Sequence, residues 1–151
     1  MTPFSDDLAT IYDAPASALL GDDYWRVVKP FTYLIKPNQW VTVPAGYLTD
    51  GASVPKVFWN IIPPWGKYGQ AAVVHDLVCE YLQVVQDGLP LSVSRAYCDS
   101  ILNEAMQYLE VPTAKRRMIY WSVSAYRMTI GTTKPNPNPL KQQLESEWKG
   151  V

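Results

Sequence analysis

The hydrophobic and polar positions change their period along the chain, and this change predicts which elements form. From Tyr24 onward the runs "YWRVV", "FTYLI" and "WVTV" are rich in β-branched and aromatic residues, and Pro30 separates the first run from the second. The intervening "KPNQ" has turn composition, with proline early and asparagine after it. We therefore predict a β-hairpin of residues 31–36 and 40–44.

Helical patterns take over after Gly46. A short helix is expected from Pro55 through "KVFWNII", with Asp50 or Ser53 as its cap. Pro63 then ends it. Three longer helices are predicted to follow, at residues 70–85 (stopped by Asp87–Gly88), from Ser92 or Ser94 to about Leu109, and from Pro112–Thr113 to Ile130.

Strand patterns that precede helix patterns are typical of an α+β domain. We predict an N-terminal β-hairpin or small antiparallel sheet, then a short helix and three longer packed helices, with extended N- and C-terminal segments. Residues 1–22 are expected to form an extended arm with at most one helical turn, residues 23–131 a single α+β domain, and residues 132–151 a proline-rich C-terminal tail. Such a tail, if ordered, must dock on its own body or on a neighbouring chain.

The charge pattern excludes some partners. The chain carries 13 basic and 14 acidic residues, for a net charge of -1. No block of like charge is longer than Lys115–Arg117, so the sequence does not favour nucleic-acid binding. No apolar run approaches the ~20 residues that cross a bilayer, so no membrane span is expected.

The two cysteines, Cys79 and Cys98, are too few for a disulfide framework. They are interpreted as buried free thiols in a reducing compartment, and a single bridge between neighbouring helices is the alternative. Their spacing is not that of a four-ligand zinc site.

The chain has one histidine, His75, and Asp76 follows it directly. On a helical wheel Val74 and Val78 lie on the core face, His75 on an adjoining flank and Asp76 on the side expected to face water. One interpretation is structural: the imidazole holds a polar partner beside the core while Asp76 is solvated.

The other interpretation is catalytic and requires a partner on the next helix. Asp99 can reach the level of His75 if the two helices pack antiparallel, and it would then orient the imidazole as a general base that activates water. Asp76 and Asp50 could supply oxygens to a hard cation such as Ca²⁺. Alternatively, Asp99 forms an exposed ion pair with Arg95, four residues earlier.

This catalytic arrangement is similar to the core of the secreted phospholipases A2, in which a His-Asp helix faces a Cys-Asp helix. Cys79 falls one place later than the cysteine of that family, and no glycine-rich calcium loop is recognisable.

A longer stretch, "VPAGYLTDGASVPKVFWNIIPPWGKYGQAAVVHD", resembles a family found in phages and prophages and catalogued as domain of unknown function 1353. The family pattern is Pro-x-Gly-Phe-x-Thr-Asp-x-Ala-Ser-x-Pro, an aromatic–proline stretch, and Ala-x-x-x-His-Asp. Tyr47 stands where phenylalanine is common. The matching residues are Pro44, Gly46, Thr49, Asp50, Ala52, Ser53, Pro55, Pro63, Pro64, Gly66, Tyr68, Ala71, His75 and Asp76. Asp99 and Met106 stay in register downstream.

The resemblance implies a phage origin and a signature loop (Thr49, Asp50, Ser53) that converges with His75–Asp76 in one pocket. The first hypothesis is therefore a virion-associated structural or assembly protein of the tail or baseplate region, made in the host cytoplasm. It would contact other phage structural proteins through its N-terminal arm and C-terminal tail.

Two alternatives remain open. One is a small hydrolase with His75 and Asp99 as catalytic residues, assisted by a divalent cation on Asp76 and Asp50. No feature of the sequence requires a cofactor, and this divalent cation is the one candidate for a cofactor. The other alternative is a host-takeover or anti-defence binding protein.

Overall fold

The computed structural model describes residues 2–50, 68–130 and 134–150, and within them it shows an α+β fold. The elements follow the chain as β1 (Thr10–Tyr12), α1 (Ala14–Leu20), β2 (Trp25–Val27), β3 (Phe31–Lys36), β4 (Gln39–Val43), β5 (Leu48–Thr49), α2 (Gly69–Tyr81), β6 (Gln83–Gln86), β7 (Leu89–Ser92), α3 (Arg95–Tyr108), α4 (Thr113–Ile130) and α5 (Pro139–Glu147).

The strands form two small antiparallel sheets. One has the order β1-β2-β5 and the other the order β3-β4-β6-β7. In the second sheet Phe31 pairs with Val43 and Tyr33 with Val41, and these four side chains point into the core. Alternation along β3 and β4 thus gives one buried face, as expected for a half-buried antiparallel pair. The predicted hairpin is confirmed.

The core lies between this sheet face and three helices. Val74 and Val78 of α2, Met106 of α3, and Ile119 and Val123 of α4 are all buried in it. Because each helix presents apolar residues three or four apart, one stripe of each faces the sheet or a neighbouring helix. No helix in the part of the chain described here is both long and apolar enough to cross a bilayer.

The predicted helix of residues 70–85 is too long, because α2 ends at Tyr81. Leu82 adopts a left-handed conformation (φ 48°) and caps the helix. The chain then forms a second hairpin of β6 and β7, whose turn residues Asp87 and Gly88 both have positive φ. An Asp-Gly pair suits such a type I′ turn. Val85 therefore lies in a strand, opposite Trp40 of β4.

The predicted bounds of the next two helices, α3 and α4, agree more closely with the structure. The Ser94 side chain accepts a hydrogen bond from the backbone N–H of Tyr97 and so caps α3. Helix α4 begins at Thr113 and ends at Ile130, as predicted. The predicted short helix after Pro55 and the cap candidate Ser53 lie outside the described residues.

The N-terminal segment contains more helix than the single turn predicted. Helix α1 has seven residues, and the Asp13 side chain caps it by accepting from Ala16 N–H. Phe4 is buried and packs its ring on Tyr33, with the ring centroids 4.8 Å apart. In these contacts the segment packs on the chain's own body.

The C-terminal tail also docks on the chain's own body. The Asn138 side chain caps α5, and Pro139 occupies its first turn. The Arg26 guanidinium donates to the carbonyl of Leu144, and the Leu48 N–H donates to the Glu145 carboxylate. Of the two docking partners predicted for an ordered tail, the structure shows the first.

Candidate functional site

Three helices meet at a buried polar network of His75, Asp99 and Arg127. His75 Nε2 of α2 lies 2.7 Å from Asp99 Oδ1 of α3. Arg127 Nε of α4 donates to Asp99 Oδ2 at 2.8 Å. Both His75 and Asp99 are buried, and Asp99 is only 1% exposed. One carboxylate therefore links three helices, which we call the carboxylate clamp (His75, Asp99 and Arg127).

Asp99 reaches His75, as the catalytic interpretation required. The alternative of an exposed Asp99–Arg95 ion pair is wrong, because Asp99 is buried and its two oxygens face His75 and Arg127. Sequence reasoning missed Arg127, which lies 28 residues from Asp99 along the chain. Arg127 lies near the C-terminal end of α4 and contacts Asp99 of a different helix, so no local sequence pattern indicates this contact.

The charge state of His75 bears on its role. Burial by itself would lower the pKa of His75, but Cys79 and the hydrogen bond with Asp99 outweigh burial and raise that pKa to about 9. An imidazolium ion at neutral pH donates a hydrogen bond to Asp99 Oδ1 and has no ring lone pair with which to accept a proton. This charge state favours a structural role over that of a general base.

The two cysteines lie beside the carboxylate clamp as free thiols. Cys79 Sγ is 3.3 Å from His75 Nε2, and Cys98 Sγ donates to the carbonyl of Ser94. A hydrogen bond with Cys98, together with burial, raises the pKa of the Cys79 thiol. Cys98 is buried, whereas Cys79 is only partly so.

A second polar cluster surrounds Asp76. The Thr49 hydroxyl donates to Asp76 Oδ2 at 2.8 Å. Burial and the charge of Asp50 raise the pKa of Asp76 to about 8, although Lys141 and Thr49 act in the opposite direction. Asp76 is thus partly buried and bonded to the signature loop, and the expectation that it is solvated is wrong.

A buried lysine joins the tail to this second cluster. Lys141 Nζ lies 2.6 Å from Glu80 Oε1 and 3.0 Å from Glu145 Oε2. It also lies over the Tyr47 ring, 4.1 Å from its centroid, and the Tyr47 hydroxyl donates to Glu80. We call this set (Lys141, Glu80, Glu145 and Tyr47) the lysine anchor. The i, i+4 spacing of Lys141 and Glu145 was its only sequence signal.

A cleft of about 360 Å³ opens between the two clusters and the tail. Among the residues that the structure describes, its lining comprises Tyr24, Asp50, Asp76, Cys79, Glu80, Arg95, Tyr126, Lys134, Asn136, Asn138 and Lys141. Asp50 and Asp76, the predicted cation ligands, both belong to this lining, whereas His75 and Asp99 do not. Ser53 of the signature loop lies outside the described residues.

Two donor sets in this region suit metal ions of different kinds. Asp50 and Asp76 offer carboxylate oxygens, which hard cations prefer. His75, Cys79 and Asp99 offer one nitrogen, one sulfur and one oxygen, all within 4.8 Å of one another. The sequence predicted the first set but not the second, because Cys79 was interpreted as a core thiol.

Residues 25–123 match the family model described as "Protein of unknown function (DUF1353)". The match covers more than half of the chain, so the chain belongs to this family, as the resemblance suggested. Thr49, Asp50, Asp76 and Asp99 fall inside the matched region. Arg127 of the carboxylate clamp falls outside it, as does the lysine of the lysine anchor.

One curated relative is the uncharacterized protein y4jT of Sinorhizobium fredii (strain NBRC 101917 / NGR234), which is 38% identical over 88 residues. The alignment covers 56% of this chain and 23% of the relative, so the chain spans less than a quarter of that protein's length. No solved structure shows a significant match. These comparisons establish the family and assign no activity.

Proposed function

We propose that the chain is a phage virion-associated protein of the tail or baseplate region that acts through contacts with other phage structural proteins. The proposal rests on the family's occurrence in phages and prophages and on one surface feature. That feature is an exposed row of large apolar side chains on α4.

The row consists of Met118, Trp121 and Met128, which are 39%, 64% and 72% exposed, and we call it the α4 stripe. Their spacing of three and seven residues puts them on one helix face. The opposite face carries Ile119 and Val123, which are buried in the core. The helix is therefore apolar on two sides, and the described residues cover only the side that carries Ile119 and Val123.

Such a stripe is typical of a protein–protein interface. Single exposed apolar residues are ordinary, but several large apolar side chains on one helix face, with a tryptophan among them, are typical of a binding surface. The N-terminal segment and the tail, which were predicted to make the partner contacts, pack on the body through Phe4 and Lys141. We therefore place the principal partner surface on the α4 stripe.

The test is the protein content of purified phage particles, measured by mass spectrometry for three versions of the gene. We expect the wild-type chain in the particles and the Trp121→Glu/Met128→Glu variant to be absent. The matched control is Leu89→Glu, since Leu89 is 70% exposed in strand β7, and it should be incorporated normally. Circular dichroism checks that both variants are folded.

Absence of the wild-type chain from particles would refute the virion role. In that case, co-purification with a defined host protein would support the host-takeover or anti-defence alternative. Incorporation of the α4 double variant at the wild-type level would refute the choice of surface.

A hydrolase is the second candidate, and the convergence of Asp50 and Asp76 on one cleft favours it. Two carboxyl groups that face a common cleft are the arrangement used by many hydrolases, either directly or through a bound cation. In this candidate the carboxyl groups touch the substrate, and the His75–Asp99 pair positions α2.

The hydrolase candidate predicts turnover of lipid, peptide or cell-wall material. Asp76→Asn should abolish that turnover while the chain stays folded, and Asp87→Asn, at an exposed turn, should leave it unchanged. Wild-type protein without turnover on all three substrate classes would remove the candidate.

A further inference from the structure

We propose that His75, Cys79 and Asp99 form a binding site for one divalent transition-metal ion of the zinc type. His75 Nε2 lies 2.7 Å from Asp99 Oδ1 and 3.3 Å from Cys79 Sγ. All three ligand atoms lie within 4.8 Å of one another. This inference does not depend on the α4 stripe or on any virion role.

The distances are close to those of a tetrahedral site. Zinc bonds of about 2.0–2.3 Å place neighbouring ligand atoms roughly 3.2–3.8 Å apart. The three ligand atoms therefore need to move by only about 1 Å to hold an ion between them. Imidazole nitrogen, thiolate sulfur and carboxylate oxygen together suit zinc and exclude calcium or magnesium, which take oxygen ligands.

The local structure explains why these side chains meet. His75 and Cys79 are four residues apart on α2, so one helical turn places them on the same face. Helix α3 supplies Asp99 from the other side. Arg127 holds Asp99 Oδ2 and leaves Oδ1 directed at His75, which is the outer-sphere support that metal-binding carboxylates usually have.

The site also has access to solvent. Cys79 lines the cleft, so a fourth ligand such as water can reach the ion from that side.

The experiment uses the full chain, reduced and stripped of metal with a chelator, and titrates it with Co²⁺. We expect one Co²⁺ per chain and a thiolate-to-cobalt charge-transfer absorption, both reversed by Zn²⁺. Cys79→Ser should remove this absorption, and the matched control Cys98→Ser should keep it. Arg127→Gln should weaken Co²⁺ binding by about 10–100-fold, because it supports a ligand from outside the site.

Three results would overturn the proposal: no stoichiometric Co²⁺ binding by the wild-type chain, binding without the thiolate absorption, or an unchanged absorption in Cys79→Ser. Circular dichroism of each variant confirms folding. If Cys79→Ser does not fold, alkylation of Cys79 in folded Cys98→Ser protein provides the second test. Co²⁺ should then slow the alkylation, and an unchanged rate would overturn the proposal.

Discussion

Lys141→Met should destabilise the fold far more than a substitution in a terminal segment usually does. Lys141 is 5% exposed, and its ammonium group contacts the carboxylates of Glu80 and Glu145. Methionine keeps most of the apolar stem but removes the charge. Two partly buried carboxylates then lose the cation that holds them together.

The expected loss is about 3–5 kcal/mol of unfolding free energy, the usual cost of removing one partner from a buried ion pair. The exposed fractions of the Glu80 and Glu145 side chains are 12% and 15%, so water relieves only part of this cost. The cation–π contact with Tyr47 is lost as well, at a cost of about 1–2 kcal/mol in a desolvated setting. For a chain of this length, 3 kcal/mol corresponds to a decrease in Tm of roughly 6–12 °C.

The assay is urea unfolding followed by far-ultraviolet circular dichroism, with the slope of the transition as a check on two-state behaviour. Lys149→Met is the matched control, because Lys149 is exposed in the same tail and should change stability by less than about 0.5 kcal/mol. Adding Glu80→Gln to Lys141→Met should recover part of the loss, since it removes one unpaired charge. Stability of Lys141→Met within about 0.5 kcal/mol of wild type would refute the lysine anchor.

Three further predictions concern the carboxylate clamp, an acid-sensitive ion pair and a turn. In metal-free protein, Asp99→Asn should lower the unfolding free energy measured in urea by about 3–5 kcal/mol, because His75 and Arg127 lose their common carboxylate. A loss below about 1 kcal/mol would contradict the carboxylate clamp. Burial opposes ionisation of Asp13, but the hydrogen bonds from the Ala16 N–H and from Arg26 lower the pKa of its carboxyl group. The ionised Asp13 therefore stabilises the fold above about pH 4, and this stabilisation is lost as the pH falls through the folded-state pKa. Urea titrations should therefore show wild type about 1–2 kcal/mol more stable than Asp13→Asn at pH 6 and nearly equal to it near pH 2; a gap that does not depend on pH would contradict this. No described atom lies within 4 Å of a Cβ added at Gly88, so the positive φ of 81° is what opposes a side chain there. Gly88→Val should therefore cost about 1–2 kcal/mol and Gly88→Asn less, and equal losses would contradict the strain argument.

Local patterns predicted the elements whose signals are local. The alternation in "FTYLI" and "WVTV" gave the β3–β4 hairpin, and Ser94 marked the start of α3. The β6–β7 hairpin was missed because Val84 and Val85 continue the helical pattern of α2. Pairing of Val85 with Trp40, 45 residues earlier, decides in favour of a strand, and such a pairing is not visible in a local window.

The candidate site was predicted in part for the same reason. Asp99 could be proposed as a partner of His75, because both lie on adjacent predicted helices at matching levels. Cys79 was assigned to the core by its type, although it borders the cleft. The sequence predicted that an ordered tail docks on its own body or on a neighbouring chain, but it gave no local signal for the contact of Lys141 with Glu80, which lies 61 residues away.

The most direct measurement of the proposed partner surface is photo-crosslinking in assembled particles. A photoreactive amino acid replaces Trp121 in one version of the chain and Leu89 in another, and both side chains are exposed. We predict crosslinks from position 121 to another phage structural protein and none from position 89. Two results would contradict the α4 stripe as the contact surface. One is that the chain is incorporated but gives no crosslink from position 121, and the other is that both positions give equal crosslinks.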